Sequence, residues 1–208
     1  MARLTAQERR KQLIGIGLRQ LTERPIHELS LDEIGAEAGI SRGLLFHYFP
    51  TKRDYYTAVV QAAANRLVRQ TEPDPEAPPD EQLAQTLEAY LAFVERRRDP
   101  YLALFRGAAG GADYVIEIYE RTRGVFVDRA RRALGGAPDP RVDLLLHGWF
   151  GFVEDTVLAW TGRPTIPREE LLDVLRGSLP ALIDGLAAKA AGPDAGLGRD
   201  SSARLLRQ

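Results

Sequence analysis

Cysteine is absent from the 208 residues, so no disulfide framework, thiol nucleophile or thiolate metal site is available. Histidine is scarce as well. His27, His47 and His147 fall on separate predicted segments, which argues against a zinc centre, and no metal or other cofactor is expected. Long apolar runs are missing: the longest, residues 144–153, is interrupted by His147 and has about half the length a membrane-spanning helix needs. The apolar stretch that follows Arg9, Arg10 and Lys11 is short and lacks a small-residue cleavage site, so it does not read as a secretory signal. The expectation is a soluble cytoplasmic protein with no membrane partner. No charge of one sign prevails either, with 28 Lys and Arg against 29 Asp and Glu, so affinity for a polyanion would have to be local. Lysine is confined to Lys11, Lys52 and Lys189; the arginine surplus reflects GC-rich coding more than chemistry. Catalytic signatures are lacking too. Residues 176–180 (RGSLP) do not form a nucleophile elbow, and Gly15-x-Gly17 has neither the third glycine nor the preceding strand of a dinucleotide site. Enzymatic activity is not expected.

What remains is an ordinary globular composition, 44% hydrophobic and 27% charged, in which proline and glycine separate segments of helical periodicity. Sustained apolar/polar alternation is absent, so the chain reads as all-α. The first helix runs from about Thr5 to Leu21, with Leu13, Ile14, Leu18 and Leu21 as its stripe, and Pro25 closes it. Ser30 and Glu33 have capping-box spacing for a short helix that buries Leu31, Ile34 and Ala38 and ends at Gly39. Ser41 caps a third helix through Phe49, closed by Pro50. Thr51, with Asp54 three residues on, caps a fourth whose stripe is Tyr55, Val59, Ala63 and Leu67. Four prolines within residues 72–80 argue against helix there and mark the best candidate boundary. Beyond it Leu83, Leu87, Tyr90, Leu91 and Val94 share a face, and Pro100 starts a short helix through Phe105. Residues 107–111 read as a loop. Val115, Ile118, Tyr119, Thr122 and Phe126 define a long helix, and residues 142–160 and 168–188 form two more with apolar surplus. Pro180 should kink the last of these, and the tail from Gly192 reads as mobile.

Two short capped helices joined through Gly39, Ile40 and Ser41 have the spacing of a helix-turn-helix, in which the second helix enters the DNA major groove. Between Ala38 and Arg53 the cations Arg42, Lys52 and Arg53 occur with no acid. Leu45 and Phe49, four apart, should face the core and leave Arg42, Gly43, Leu44, Phe46 and His47 outward, with Tyr48 at the border. Arg42 can offer a bidentate fork to guanine, a contact worth about 1–3 kcal/mol of discrimination. Gly43 costs helix stability, which suggests close backbone approach. Leu44 can meet a thymine methyl, while His47, Tyr48, Lys52 and the amino end of the fourth helix suit phosphates.

The string AEAGISRGLLFHYFPTKRDYYTAV resembles the N-terminal signature of the TetR/AcrR family of transcriptional regulators, with matching helix spacing from Thr5 to about Val60. The resemblance implies a cap at Ser41, a variable base reader at Arg42, a close-approach glycine at Gly43 and a second base-facing position at Leu44. It further implies phosphate contacts at Phe46, His47 and Lys52, with the family's common histidine replaced by Tyr48. Phe46 lacks the hydroxyl of a tyrosine, the histidine contact is displaced to His47, and apolar Leu44 makes direct readout sparse, so DNA shape carries part of the specificity.

The implied architecture is a helix-turn-helix DNA-binding domain over residues 1–56, a fourth helix over 51–71 that bridges onward, and a helical ligand-binding and dimerisation domain over 72–190 before a flexible tail at 191–208. The implied partners are an operator in double-stranded DNA, a second copy of the chain joined through its last two helices, and a small-molecule effector of unknown identity. Tyr90, Phe93, Phe105, Tyr119, Phe126, Trp149 and Phe152 are candidates to wall an apolar effector pocket, with Tyr114 and Trp160 as further aromatic candidates. Glu154 and Asp155 interrupt an apolar helix and need a partner: an arginine among Arg106, Arg121 and Arg123, or a cationic ligand. The function implied is that of a ligand-responsive repressor; the alternative is a helical protein-interaction module without operator binding.

Overall fold

A computed structural model describes residues 4–21, 28–102, 113–135 and 139–190 of the chain. The described residues form nine helices and no strand: α1 (Ala6–Gln20), α2 (Leu31–Glu37), α3 (Arg42–Tyr48), α4 (Lys52–Gln70), α5 (Pro79–Arg96), α6 (Arg98–Tyr101), α7 (Asp113–Leu134), α8 (Pro140–Gly162) and α9 (Arg168–Ala190). The expected closure of the first helix by Pro25, the loop at 107–111, Phe105, Arg106, His27 and the tail all lie outside the described residues.

Local chemistry sets the starts and stops. Thr5 and Glu8 form a reciprocal capping box at α1, and Thr51 and Asp54 form another at α4. Ser30 Oγ accepts from the Glu33 amide to begin α2. That helix ends in a Schellman motif: Gly39 has φ +66°, its amide donates to the Ala36 carbonyl, and the Ile40 amide donates to the Gly35 carbonyl at 2.9 Å. The proline-rich segment differs from expectation at its end, because Pro79 and Asp80 open α5. Proline is tolerated in a first turn, where its missing amide would have had no partner. For the same reason Pro100 lies within α6 instead of starting it. Pro180 lies inside α9, which is helical on both sides of it.

The first four helices close around Leu13, Ile16, Ile34, Leu45, Phe49, Tyr55 and Val59, all fully or almost fully buried. The buried faces are wider than the predicted stripes. On α1, Ile16 and Gly17 are buried while Ile14 and Leu18 are only half-buried; on α4, Tyr56, Val60 and Ala64 join Tyr55, Val59 and Leu67, and Ala63 is half-buried. The reason is that α4 is packed on two sides, by α1 and by α7. Gly17 permits the first of these contacts: a Cβ there would lie 2.5 Å from the Tyr55 hydroxyl and 2.7 Å from Val59. Tyr55 in turn donates to the Leu13 carbonyl at 2.8 Å, tying the two helices together.

In the second half, α7 packs on α4, α5 and α8, and α9 lies on α5 and α8. Leu171, Leu172, Leu175 and Leu179 of α9 are buried, whereas Leu182, Ile183 and Leu186 in its last turns are exposed or half-buried. Arg168 and Arg176 on α9 face Glu88 and Glu95 on α5 and add an ion-paired rim to this contact. The two halves are joined by α4 itself. Buried Arg129 of α7 donates to the Thr71 carbonyl at 2.8 Å, to Thr71 Oγ1 at 2.9 Å and to the Val68 carbonyl at 2.9 Å, so a cation from α7 satisfies carbonyls at the end of α4. At the other end of α4, the Arg53 guanidinium stands 5.4 Å over the Tyr114 ring of α7.

Candidate nucleic-acid interface

The orientation of α3 follows from its two buried side chains. Ser41 Oγ accepts from the Leu44 amide at 3.3 Å, and Leu45 and Phe49, neither with any accessible surface, anchor the helix to the core. Phe49 meets Tyr55 edge to face at 5.1 Å, which secures α3 against α4. Ser41, Arg42, Gly43, Leu44 and His47 are consequently exposed, Phe46 and Tyr48 half-buried, and Lys52 exposed at the first position of α4. Among the described residues a Cβ on Gly43 would meet only Ser41 Oγ at 4.0 Å, so none of them requires glycine there.

Each candidate contact has a neighbour that sets its pose. Nη1 of Arg42 donates to both carboxylate oxygens of Asp32 on α2, at 2.8 and 3.1 Å, while its guanidinium lies 5.5 Å from the Phe46 ring centre. Phe46 thus serves as a platform for Arg42 as well as a surface residue. The His47 and Tyr48 rings meet edge to face at 5.5 Å. Lys52 Nζ stands 5.1 Å over the Tyr56 ring, and Tyr56 is held by a 2.6 Å bond to the Leu29 carbonyl. Two arginines of α1, noted in the sequence only as part of a basic run, reach the same unit. Arg10 donates to the Tyr48 carbonyl at 2.7 Å and lies 4.2 Å over the Phe49 ring, and Arg9 donates to the Ala38 carbonyl at 3.1 Å. Arg42, Asp32, Phe46 and Lys52 line one groove of ≈ 320 Å³ between α2, α3 and the amino end of α4.

The aromatic candidates of the second half are divided. Tyr90, Phe126 and Phe150 form a cluster in which Phe126 and Phe150 stack at 4.8 Å and Tyr90 approaches both edge to face. The Tyr90 and Tyr101 hydroxyls meet at 2.8 Å, and Tyr101 and Tyr119 each donate to one oxygen of Glu154. Among the described residues Glu154, 3% exposed, is held by two phenols; of the arginines expected to pair with it, Arg121 pairs with Glu117 and Arg123 donates to the His147 carbonyl, while Arg106 lies outside the described residues. Asp155, its neighbour, is exposed because it lies on the opposite face of α8. Burial, and then the Glu154 carboxylate, raise the Tyr119 phenol well above its ordinary range; Tyr101 is raised chiefly by burial, then by Tyr90 and Glu154. The cavity beside them, lined by Tyr119, Arg123, Phe126 and Phe150 among others, has ≈ 10 Å³, room for one water at most. Phe93 lies under the Arg97 guanidinium. Trp149 faces α9, where it donates to Ser178, Trp160 donates to the Ile166 carbonyl, and Phe152 is exposed. Tyr101 and Phe150 escaped the sequence reading, since neither falls on a clean stripe. Among the described residues there is no group of three metal-ligating side chains, and no described helix is long and apolar enough to cross a membrane.

Comparison with known proteins bears on both halves. Residues 13–59 match the family described as bacterial regulatory proteins of the tetR family, and residues 79–181 match the tetracyclin repressor-like C-terminal domain. The HTH-type transcriptional activator FasR of Mycolicibacterium smegmatis is 31% identical over 192 residues, covering 79% of this chain and 87% of that protein. A tetR-family transcriptional regulator from Streptomyces coelicolor is 32% identical with a TM-score of 0.77, over 89% of this chain and 85% of that one. The fold is also that of the regulator FadR from Bacillus subtilis in complex with stearoyl-CoA, at a TM-score of 0.62 and 17% identity over 84% of this chain and 98% of that one. With a relative of this identity matched over most of its length, and with the exposed α3 in the place the family uses for DNA, the chain belongs to the TetR family of DNA-binding transcriptional regulators.

Proposed function

We propose that this regulator is a repressor that binds a palindromic operator as a homodimer and is released by a small, largely apolar effector. The observation that carries the reading is the exposed face of α3, where Arg42, Gly43, Leu44 and His47 stand clear of the core beside Lys52. On this reading Arg42 reads a guanine and Leu44 a thymine methyl. Gly43, whose small size none of the described residues requires, lets the backbone approach the duplex. Ser41 sets the helix, Phe46 supports Arg42, and His47, Tyr48 and Lys52 engage phosphates.

The dimer is supported by the outer face of α8 and α9. Leu144 (75% exposed), Gly148 and Phe152 follow one another at four-residue spacing on α8, and Val174, Gly177 and Gly185 lie on the outer side of α9 with Leu182 beside them. At Gly148, Gly177 and Gly185 an added Cβ would meet nothing among the described residues, which leaves room for the close approach of two further helices. We assign residues 1–56 to DNA binding, the helix over 51–71 to the link and 72–190 to effector binding and dimerisation.

The effector site is assigned to the aromatic cluster around Tyr90, Tyr119 and Phe126. Its cavity is nearly closed, so an effector that binds there must favour a conformation in which α7 and α8 have parted, and that preference is what couples it to DNA. A regulator of the same fold in complex with stearoyl-CoA is in keeping with an apolar effector. The activator FasR favours a second reading, in which the bound dimer recruits polymerase.

Fluorescence-anisotropy titration against the DNA upstream of the protein's own gene, with a scrambled duplex and several salt concentrations, tests the proposal. The expected preference is about a thousandfold, the lower end for specific binders. Arg42→Ala should relax preference at one operator position, whereas Lys52→Ala should weaken all duplexes evenly and lower the salt slope by about one. Equal weak binding to both duplexes would refute the operator assignment, and a reporter gene that falls silent when the protein is removed would favour activation over repression.

A further inference from the structure

We infer that Asp32 is a positioning residue for DNA reading: it holds the Arg42 guanidinium in one pose and thereby sets base preference at one operator position. The inference rests on Arg42 being a base reader. A carboxylate at a surface that meets a polyanion is repelled by the phosphates, so its presence beside the reader calls for a compensating role. Asp32 lies in the first turn of α2, where an acid suits the helix dipole, but that does not call for its bond to Arg42, and the bond itself adds little stability. The pair is 62% and 63% exposed, and ion pairs so open to water add little to folding.

The geometry supplies a compensating role. Both Asp32 oxygens are engaged by the single nitrogen Nη1, at 2.8 and 3.1 Å, so the Nη2 and Nε edge makes no hydrogen bond among the described residues. That edge carries two parallel donors, the arrangement that matches O6 and N7 of guanine. The Phe46 ring, 5.5 Å from the guanidinium carbon, restrains the same group from one face. An exposed arginine ordinarily surrenders much rotamer freedom on meeting DNA, and a guanidinium already held by a carboxylate and a ring surrenders less. Asp32 is rigidly placed for this, because Ser30 caps α2 directly before it and the buried Leu31 and Ile34 on either side anchor the helix. The two residues are ten apart and meet only because the turn at Gly39 brings the amino end of α2 against that of α3.

The test is selection of binding sites from randomised duplexes by the full-length protein, followed by affinities for the selected operator and its single-base variants. Asp32→Ala should lower discrimination about tenfold at the base pair that Arg42→Ala also relaxes, and should leave the other positions unchanged. In the Arg42→Ala background the same change should have no effect on discrimination. Asp32→Asn, which keeps an acceptor oxygen in place, should fall between, and circular dichroism of both variants checks that α2 still folds. An equal affinity change for every duplex would overturn the inference by reducing Asp32 to a local charge. A loss of discrimination as large without Arg42 as with it would overturn it by making Asp32 a reader in its own right. Unchanged preference in Arg42→Ala alone would instead defeat the reading role of Arg42, and the inference with it.

Discussion

At the scale of single residues, two glycines of α1 separate helix propensity from packing. Gly15 is half-buried, and a Cβ there would meet only the end of the Arg19 side chain at 4.0 Å; at Gly17 it would strike Tyr55, whose hydroxyl is fixed on Leu13. Gly15→Ala should therefore stabilise by up to about 1 kcal/mol, and Gly17→Ala should destabilise by about 1–3 kcal/mol despite its better propensity. Urea denaturation of both variants checks the pair, and equal shifts would mean that α1 does not pack as described. The phenols on Glu154 make a second test. Their proton affinity is raised in the folded chain, so the folded state holds protons that the unfolded chain has released above a pH of about 10. The stability they contribute is complete below that pH and lost as the pH climbs toward the raised values. Tyrosinate absorbance from Tyr101 and Tyr119 should thus appear together with loss of helix, and Phe at both positions should reduce that amplitude, leaving the share of Tyr55, which burial raises likewise. Full ionisation of all seven tyrosines with the helices intact would contradict it.

At the scale of elements, α4 is the member that belongs to both halves. Its amino end carries Lys52 beside α3, and its carboxyl end is closed by Arg129 from α7. Arg129 also lies 5.3 Å from the Phe126 ring, which stacks on Phe150 in the aromatic cluster. Arg129→Met keeps most of the buried volume and removes three charge-assisted bonds, leaving the Thr71 and Val68 carbonyls at the end of α4 with one partner fewer. The expected loss is about 2–4 kcal/mol, to be read from thermal unfolding followed by circular dichroism. A loss below about 0.5 kcal/mol would show that water replaces the guanidinium. Most helix limits set by a side-chain cap or a Schellman glycine were legible beforehand, because these act within a few residues, whereas the prolines that open α5 and α8 were not. The width of the buried face on α4 was not, since it depends on α1 and α7 packing from two directions.

At the scale of the whole molecule, Leu144, Phe152, Val174 and Leu182 leave exposed apolar side chains on α8 and α9 among the described residues. Leu144→Glu combined with Val174→Glu would place four carboxylates in a two-fold interface built from this face, two from each copy. We expect analytical ultracentrifugation to give a dimer for the parent chain and a monomer of unchanged helical content for the variant. That monomer should bind operator DNA at least a hundredfold more weakly, since one reading helix makes few base contacts. A variant that remains dimeric would place the interface elsewhere.

The sequence by itself determined the helical class, the turn at Gly39 and the outward set Arg42, Gly43, Leu44 and His47. These rest on short-range rules of capping, periodicity and conformational freedom, which neighbours along the chain decide. Only the tertiary structure decided who meets these residues. A stretch with no acid between Ala38 and Arg53 acquires Asp32 from the preceding helix, Glu154 finds the phenols of Tyr101 and Tyr119, and Arg129 reaches the end of α4 from 58 residues away. Such pairings follow from how helices cross, and a helical sequence presents each side chain to one direction in space without naming what will stand there.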